Sequence, residues 1–112
     1  MSSTSKQKPP EGVLEPAAKL FGTLAERSRL AILRELMDGP MPVGEIAEAT
    51  GLSQPNVSKQ LAILHDAKLV SREREGNTVR YTLADPCVQQ LCSLVCAKLA
   101  RDAEEAARRF KA

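Results

Sequence analysis

Aromatic side chains are nearly absent: the 112-residue chain has one Tyr, two Phe and no Trp. Its core must therefore be aliphatic, and in so short a chain a thin core makes pairing with a second copy an expected source of burial. Histidine is reduced to His65, with no Ser or Cys placed to pair with it, and no glycine-rich phosphate loop occurs. Both absences speak against an enzyme. No apolar run approaches the roughly 20 residues of a membrane span, and no signal-peptide core follows Met1. The expected setting is the cytoplasm, where thiols stay reduced, and three cysteines, an odd number, argue against a closed disulfide framework. No charge of one sign dominates either. The net +2 is too small to point to nucleic acid by itself, so local placement has to carry that argument.

The most informative stretch is Leu52 to Val70. Ser53 is an N-cap residue type, and Pro55 suits the first helical turn, where its missing N–H is not needed. Val57, Leu61 and Leu64 then recur at helical spacing as one narrow apolar stripe. Gln54, Asn56, Ser58, Lys59 and Gln60 fill the N-terminal half, where an ordinary surface helix would carry Glu and Lys pairs. A thin apolar back with small polar or cationic side chains in front is how a DNA-recognition helix is built.

The flanking elements fit that reading. Residues 1–12, rich in Ser, Lys and Pro, read as a disordered tail, and 13–112 as one domain. A short helix is expected from Pro16, carrying Ala17, Leu20, Phe21 and Leu24. A second runs from Glu26 to Met37 with Leu30, Ile32, Leu33 and Leu36 inward, ended by Asp38-Gly39-Pro40. A third spans Val43 to Thr50 and closes at Gly51, which leaves only a tight turn before the Ser53 cap. Two short helices so joined form a helix-turn-helix. Residues 69–74 and 78–83 alternate with period two around Glu75-Gly76-Asn77, a hairpin signal, and they carry Arg72, Arg74 and Arg80. The last element, a helix from Pro86 to Phe110 capped by Asp85, repeats Val88, Leu91, Val95, Leu99, Ala103, Ala106 and Phe110. One small domain cannot cover a stripe that long, so part of it is expected to pack on a second chain. The expected fold class is mainly α with a small β-hairpin: a dimeric winged helix-turn-helix of four helices, a two-stranded wing and a final helix.

These pieces together resemble the ArsR/SmtB family of winged-helix repressors, from about Phe21 to Leu99. The resemblance is carried by Leu24-Ala-Glu-Arg-Ser-Arg-Leu-Ala-Ile-Leu33, Val43-Gly-Glu-Ile-Ala47, Leu52-Ser-Gln-Pro-Asn-Val-Ser-Lys-Gln-Leu61 and Arg80-Tyr-Thr-Leu83. It implies a homodimer paired through the first and last helices, binding of a palindromic double-stranded operator, and release by a ligand. Carried over by position, Gln54, Ser58, Lys59 and Gln60 would face DNA, with Asn56 a further candidate. Position 60 often holds His in the family. Gln or Asn can bind adenine bidentately, and Lys59 suits guanine or phosphate. Arg72, Arg74 and Arg80 resemble wing contacts to phosphate or the minor groove, although Arg80 could instead only pair with Glu73.

Inducer sites vary within the family. The Cys-Val-Cys pair of arsenic- and cadmium-type members is replaced here by Pro42, Val43 and Gly44. The zinc-type register falls on Asp85, Cys87, Lys98 and Arg101, and two cations cannot ligate zinc. His65 reads as a surface or cap residue. Cys87, Cys92 and Cys96 remain, all on the last helix, and three thiolates suit As(III), Sb(III) or another thiophilic metal ion. Cys92 and Cys96 lie one turn apart, whereas Cys87 points roughly opposite to Cys96, so a three-sulfur site needs an unwound first turn or a thiol from a second copy. Drawing the three together would bend the helix that sets the dimer angle, and would spoil a recognition-helix spacing of about 34–36 Å. The alternatives are a peroxide or persulfide sensor using Cys87 at the helix N-terminus, a repressor without inducer whose cysteines merely pack, and a protein-binding winged helix that makes no DNA contact.

Overall fold

Side-chain caps from Glu26, Ser53 and Asp85 start three of the helices, whereas the helices beginning at Leu14 and Val43 start without one. The computed structural model describes residues 7–111, so the first six residues of the expected tail lie outside the described part. After a single 3₁₀ turn at Glu11–Val13, α1 spans Leu14–Leu24, starting two residues before Pro16, which its first turn accommodates. α2 spans Arg27–Leu36, and the Glu26 carboxylate caps it by accepting from the Arg29 N–H at 3.1 Å. α3 spans Val43–Thr50 and ends at Gly51, whose φ of 79° is left-handed. α4 spans Gln54–Asp66, with the Ser53 hydroxyl accepting from the Asn56 N–H at 3.2 Å.

α4 closes with both hydrogen bonds of a Schellman motif: Leu69 N–H to Leu64 C=O at 2.9 Å and Lys68 N–H to His65 C=O at 3.0 Å. The left-handed position falls on Lys68, at φ 63°. A side chain there is strained by about 1 kcal/mol, so Lys68→Gly is expected to stabilise the protein by that amount. Urea unfolding of the two proteins would read the difference.

The wing is a hairpin of β2 (Val70–Glu75) and β3 (Thr78–Leu83) in the register Glu75↔Thr78 to Val70↔Leu83. Gly76 opens its two-residue turn at φ 63° and Asn77 has no positive φ, the sign pattern of a type II′ turn. A short strand unforeseen from the sequence, β1 (Met41–Pro42), pairs antiparallel with β3, so the sheet order is β1-β3-β2. Two residues between Pro40 and a helix carry no periodic signal; only the arrival of β3 makes them a strand.

Ile32 and Leu33 of α2, Ile46 of α3, and Val57, Leu61 and Leu64 of α4 are fully buried and meet Leu24, Leu36, Leu69 and Val70 in one aliphatic core. Leu30, expected inward, is not in it, at 41% exposure, and Phe21 of α1 is 57% exposed. Both sit on helix faces left uncovered among the described residues.

α5 (Pro86–Lys111) starts as expected, with Asp85 Oδ1 accepting from the Cys87 N–H at 2.7 Å. Val88 is buried and Leu91 and Cys92 pack on the core, but every residue from Ser93 to Lys111 is exposed. About 28 Å of helix therefore projects from the domain. The radius of gyration, 17.2 Å, compares with about 13 Å for a compact chain of this length. No described helix is long and apolar enough to cross a membrane.

Candidate nucleic-acid interface and cysteine helix

The first two turns of α4 present Gln54, Ser58 and Lys59 to solvent, with Asn56 half-buried. Its first turn carries no acidic residue, so the positive end of the helix is unopposed and favours an approaching phosphate. α3 lies alongside: a Cβ on Gly44 would stand 3.6 Å from Gln54 Nε2. On the wing, Arg72 and Arg74 share one sheet face with Val79 and Tyr81, beside Val43 at the start of α3, and both are exposed.

Two expected site residues stand elsewhere. Gln60 is only 7% exposed and points inward, because position 60 follows Val57 and precedes Leu61 and Leu64 on the seated side of the helix. Its Oε1 accepts from Arg29 Nε at 2.9 Å and its Nε2 donates to Asn56 Oδ1 at 3.0 Å. Arg29 also donates through Nη1 to the Thr23 carbonyl at 3.1 Å, so one polar thread ties the end of α1, α2 and the first turn of α4. Sequence reading gave Arg29 no role of its own; the signal was a polar residue, Gln60, inside an apolar stripe. Arg80 lies on the opposite face of the wing from Arg72 and Arg74, and pairs with Glu75 at 3.0 Å rather than with its cross-strand neighbour Glu73. The three arginines thus form no single patch.

The residues left facing outward suggest a division of labour. Lys59→Ala is expected to weaken binding to every duplex and lower the salt slope by about one, as loss of one phosphate contact does. Gln54→Ala is expected to change which sequences are preferred. Binding titrations across a salt series on two unrelated duplexes separate the two effects.

On α5, Cys87 and Cys96 are exposed and Cys92 half-buried, all three as free thiols. Burial at the edge of the core, and then the neighbouring Cys96, push the Cys92 thiol up from its ordinary pKa. Cys92 and Cys96 stand one turn apart on the same side of α5. Cys87 stands apart at the helix start, and among the described residues no group of three or more His, Cys, Asp or Glu is gathered to hold a metal. Lys98, in the zinc-type register, is engaged with Asp102 at 2.6 Å.

This layout has relatives. The family model described as bacterial regulatory protein, arsR family, matches residues 26–72, from the α2 cap into the wing. The curated regulator NmtR of Mycobacterium tuberculosis is 45% identical over 74 residues, 66% of this chain and 62% of its own length. A probable mercury resistance operon repressor of Streptomyces lividans is 38% identical over 80 residues, 71% of this chain and 64% of its own. The matched part thus spans a little under two thirds of these curated relatives. Among solved structures, the antimony-specific transcriptional repressor AntR superposes with a TM-score of 0.77 at 30% identity, covering 94% of this chain and 96% of its own. The homodimeric winged helix-turn-helix domain Mb0332 of Mycobacterium bovis gives 0.71 at 31%, covering 84% and 90%.

The chain belongs to the ArsR family. Its fold is the winged helix-turn-helix of that family, whose members are transcriptional regulators and not enzymes. Within an ArsR-family protein, α4 is the recognition helix, β2-β3 the wing, and α1 and α5 the helices left with uncovered apolar faces.

Proposed function

We propose that this ArsR-family protein is a cytoplasmic homodimeric repressor that binds palindromic operator DNA and lets go when a thiophilic metal ion, As(III) or Sb(III) foremost, binds its α5 cysteines. The observation that carries the proposal is the position of Cys92 and Cys96, one helical turn apart where α5 leaves the core and its uncovered stripe begins. Gln54, Asn56, Ser58 and Lys59 with Arg72 and Arg74 would touch DNA. Leu94, Val95 and Leu99, all exposed, would pair with a second copy together with Phe21 and Leu30. Two structural relatives support this, one specific for antimony and one homodimeric.

Cys92 and Cys96 suit a soft ion as two sulfurs of a pyramid, and Cys87, from the same or the second chain, would supply the third. As(III) and Sb(III) stand in water as neutral trihydroxides, so each thiol proton leaves with a hydroxide as water, and a protonated Cys92 is no obstacle to binding them. A ligand closing on α5 at its point of departure would turn the two domains against each other and pull α4 out of register with the groove.

Fluorescence anisotropy of the reduced protein on its upstream promoter DNA, titrated with antimonite and arsenite, tests the proposal. Release is expected for the parent and not for the Cys92→Ser/Cys96→Ser double variant. Binding unmoved by either ion rejects the metalloid reading, and release by peroxide in their place moves the function to thiol oxidation. Absence of binding to any duplex at low salt would favour a protein-binding module.

A further inference from the structure

The thread from Arg29 to Asn56 has a polarity that donor chemistry dictates. A guanidinium can only donate. Because Arg29 Nε donates to Gln60 Oε1, the free end of that amide is Nε2, a donor, and its partner must be the Asn56 carbonyl oxygen. The Asn56 amide is thereby turned with Oδ1 inward toward Gln60, so the end of the amide that faces away from the core is Nδ2 with its two N–H groups. Gln60 is nearly out of water and cannot reverse its bonds without stranding a buried polar group. Arg29 is held in turn by the Thr23 carbonyl. Asn56 itself is fixed in the first turn of α4 by its N–H to Ser53, and that turn is where recognition helices reach base edges.

We infer that Arg29, acting through Gln60, sets Asn56 as a hydrogen-bond donor toward DNA, so that Asn56 selects acceptor edges in the major groove. This rests on the operator-binding reading above and adds a specificity rule to it. Bidentate reading of adenine needs one amide to give to N7 and take from N6. With Oδ1 engaged by Gln60, Asn56 serves O6 and N7 of guanine or O4 of thymine instead, and the adenine preference expected of a free Asn does not apply. Arg29 and Gln60 are positioning residues; Asn56 makes the contact.

Two substitutions reverse the polarity by different routes. Gln60→Glu keeps the size of the side chain and the bond to Arg29, but offers Asn56 an acceptor, so that Asn56 must turn Nδ2 inward and Oδ1 out. Asn56→Asp presents an outward acceptor directly and leaves Gln60 untouched, at a half-buried position outside the aliphatic core. Asn56→Ala marks which base pair the residue serves. The full chain and the three variants are titrated by anisotropy, at one salt concentration, on duplexes in which each base pair of the bound upstream DNA is replaced in turn.

At the position where Asn56→Ala erases discrimination, the parent is expected to favour guanine or thymine over cytosine by about five-fold, one hydrogen bond's worth. Asn56→Asp and Gln60→Glu are both expected to reverse that ratio towards the N4 donor of cytosine. Ratios at one position cancel the uniform loss caused by the added negative charge. A parent that favours adenine there, or a ratio that Asn56→Asp leaves unchanged, overturns the inference while operator binding stands. A parent that binds no duplex defeats the operator reading and the inference together. The Asp variant decides the matter even where Gln60→Glu fails to fold.

Discussion

Val95→Glu and Leu99→Glu, made together, are expected to leave the protein monomeric and to lower its affinity for a palindromic duplex by about 100-fold or more, the scale of lost avidity. Both residues lie on the part of α5 that no element of its own chain covers, at 48% and 60% exposure. The substitution therefore removes nothing from the domain core. Val88, which anchors the helix and is 1% exposed, is untouched. In the free monomer the two glutamates are solvated and cost little. In a dimer seam they would place four carboxylates where apolar side chains meet, and burying an unpaired charge costs far more than the packing it replaces. Light scattering reads the mass, and thermal unfolding shows whether the domain itself is intact. A dimer that persists with unchanged operator affinity would remove α5 from the interface, leaving α1 as the pairing element.

The second large effect is on stability. Leu61→Ala is expected to cost about 3 kcal/mol, the usual loss for a buried leucine whose cavity cannot collapse. Leu61 is 1% exposed, in a core with no tryptophan and few bulky alternatives to move into the space. Against a total stability of about 5–15 kcal/mol, that is a large fraction. The loss also reaches function, because Leu61 and Val57 seat the helix whose opposite face carries Gln54, Ser58 and Lys59. Gln54→Ala, on the exposed side of the same helix, serves as the control and is expected to shift stability by less than about 0.5 kcal/mol. Equal midpoints in urea for parent and Leu61→Ala would contradict the packing described here.

The helices of this protein were legible from local signals because the residues that start and stop them act over three or four positions. Ser53, Glu26, Asp85, Gly51 and the Gly76-Asn77 turn each satisfy or redirect backbone a few residues away, and the structure places each in that role. Leu30 was misread as inward because helical spacing tells which residues share a face, not which face is covered. β1 was invisible, since two residues become a strand only when β3 arrives to pair with them.

On α4 and the wing, sequence spacing named the polar side chains but not the direction each one takes, for the same reason. Polar residues along α4 mark a recognition helix, but whether a given amide looks out or in depends on what stands behind it. Arg29, 31 positions earlier in the chain, draws Gln60 inward and fixes the direction of Asn56. Arg80 was grouped with Arg72 and Arg74 by composition, yet strand alternation and Glu75 put it on the other face. For the cysteines, helical spacing already set Cys87 apart from Cys92 and Cys96, and α5 runs unbroken through all three.

By itself the sequence determined the five helices and the hairpin in their order, the Ser53 and Asp85 caps, the aliphatic stripe of α4 and the surplus length of α5. All of these follow from backbone hydrogen bonding and the 3.6-residue period. Only the tertiary structure decided which polar side chains are free to meet DNA and where α5 leaves the core. Those outcomes depend on contacts between residues distant in sequence, where a buried donor must find its acceptor and an apolar face its cover.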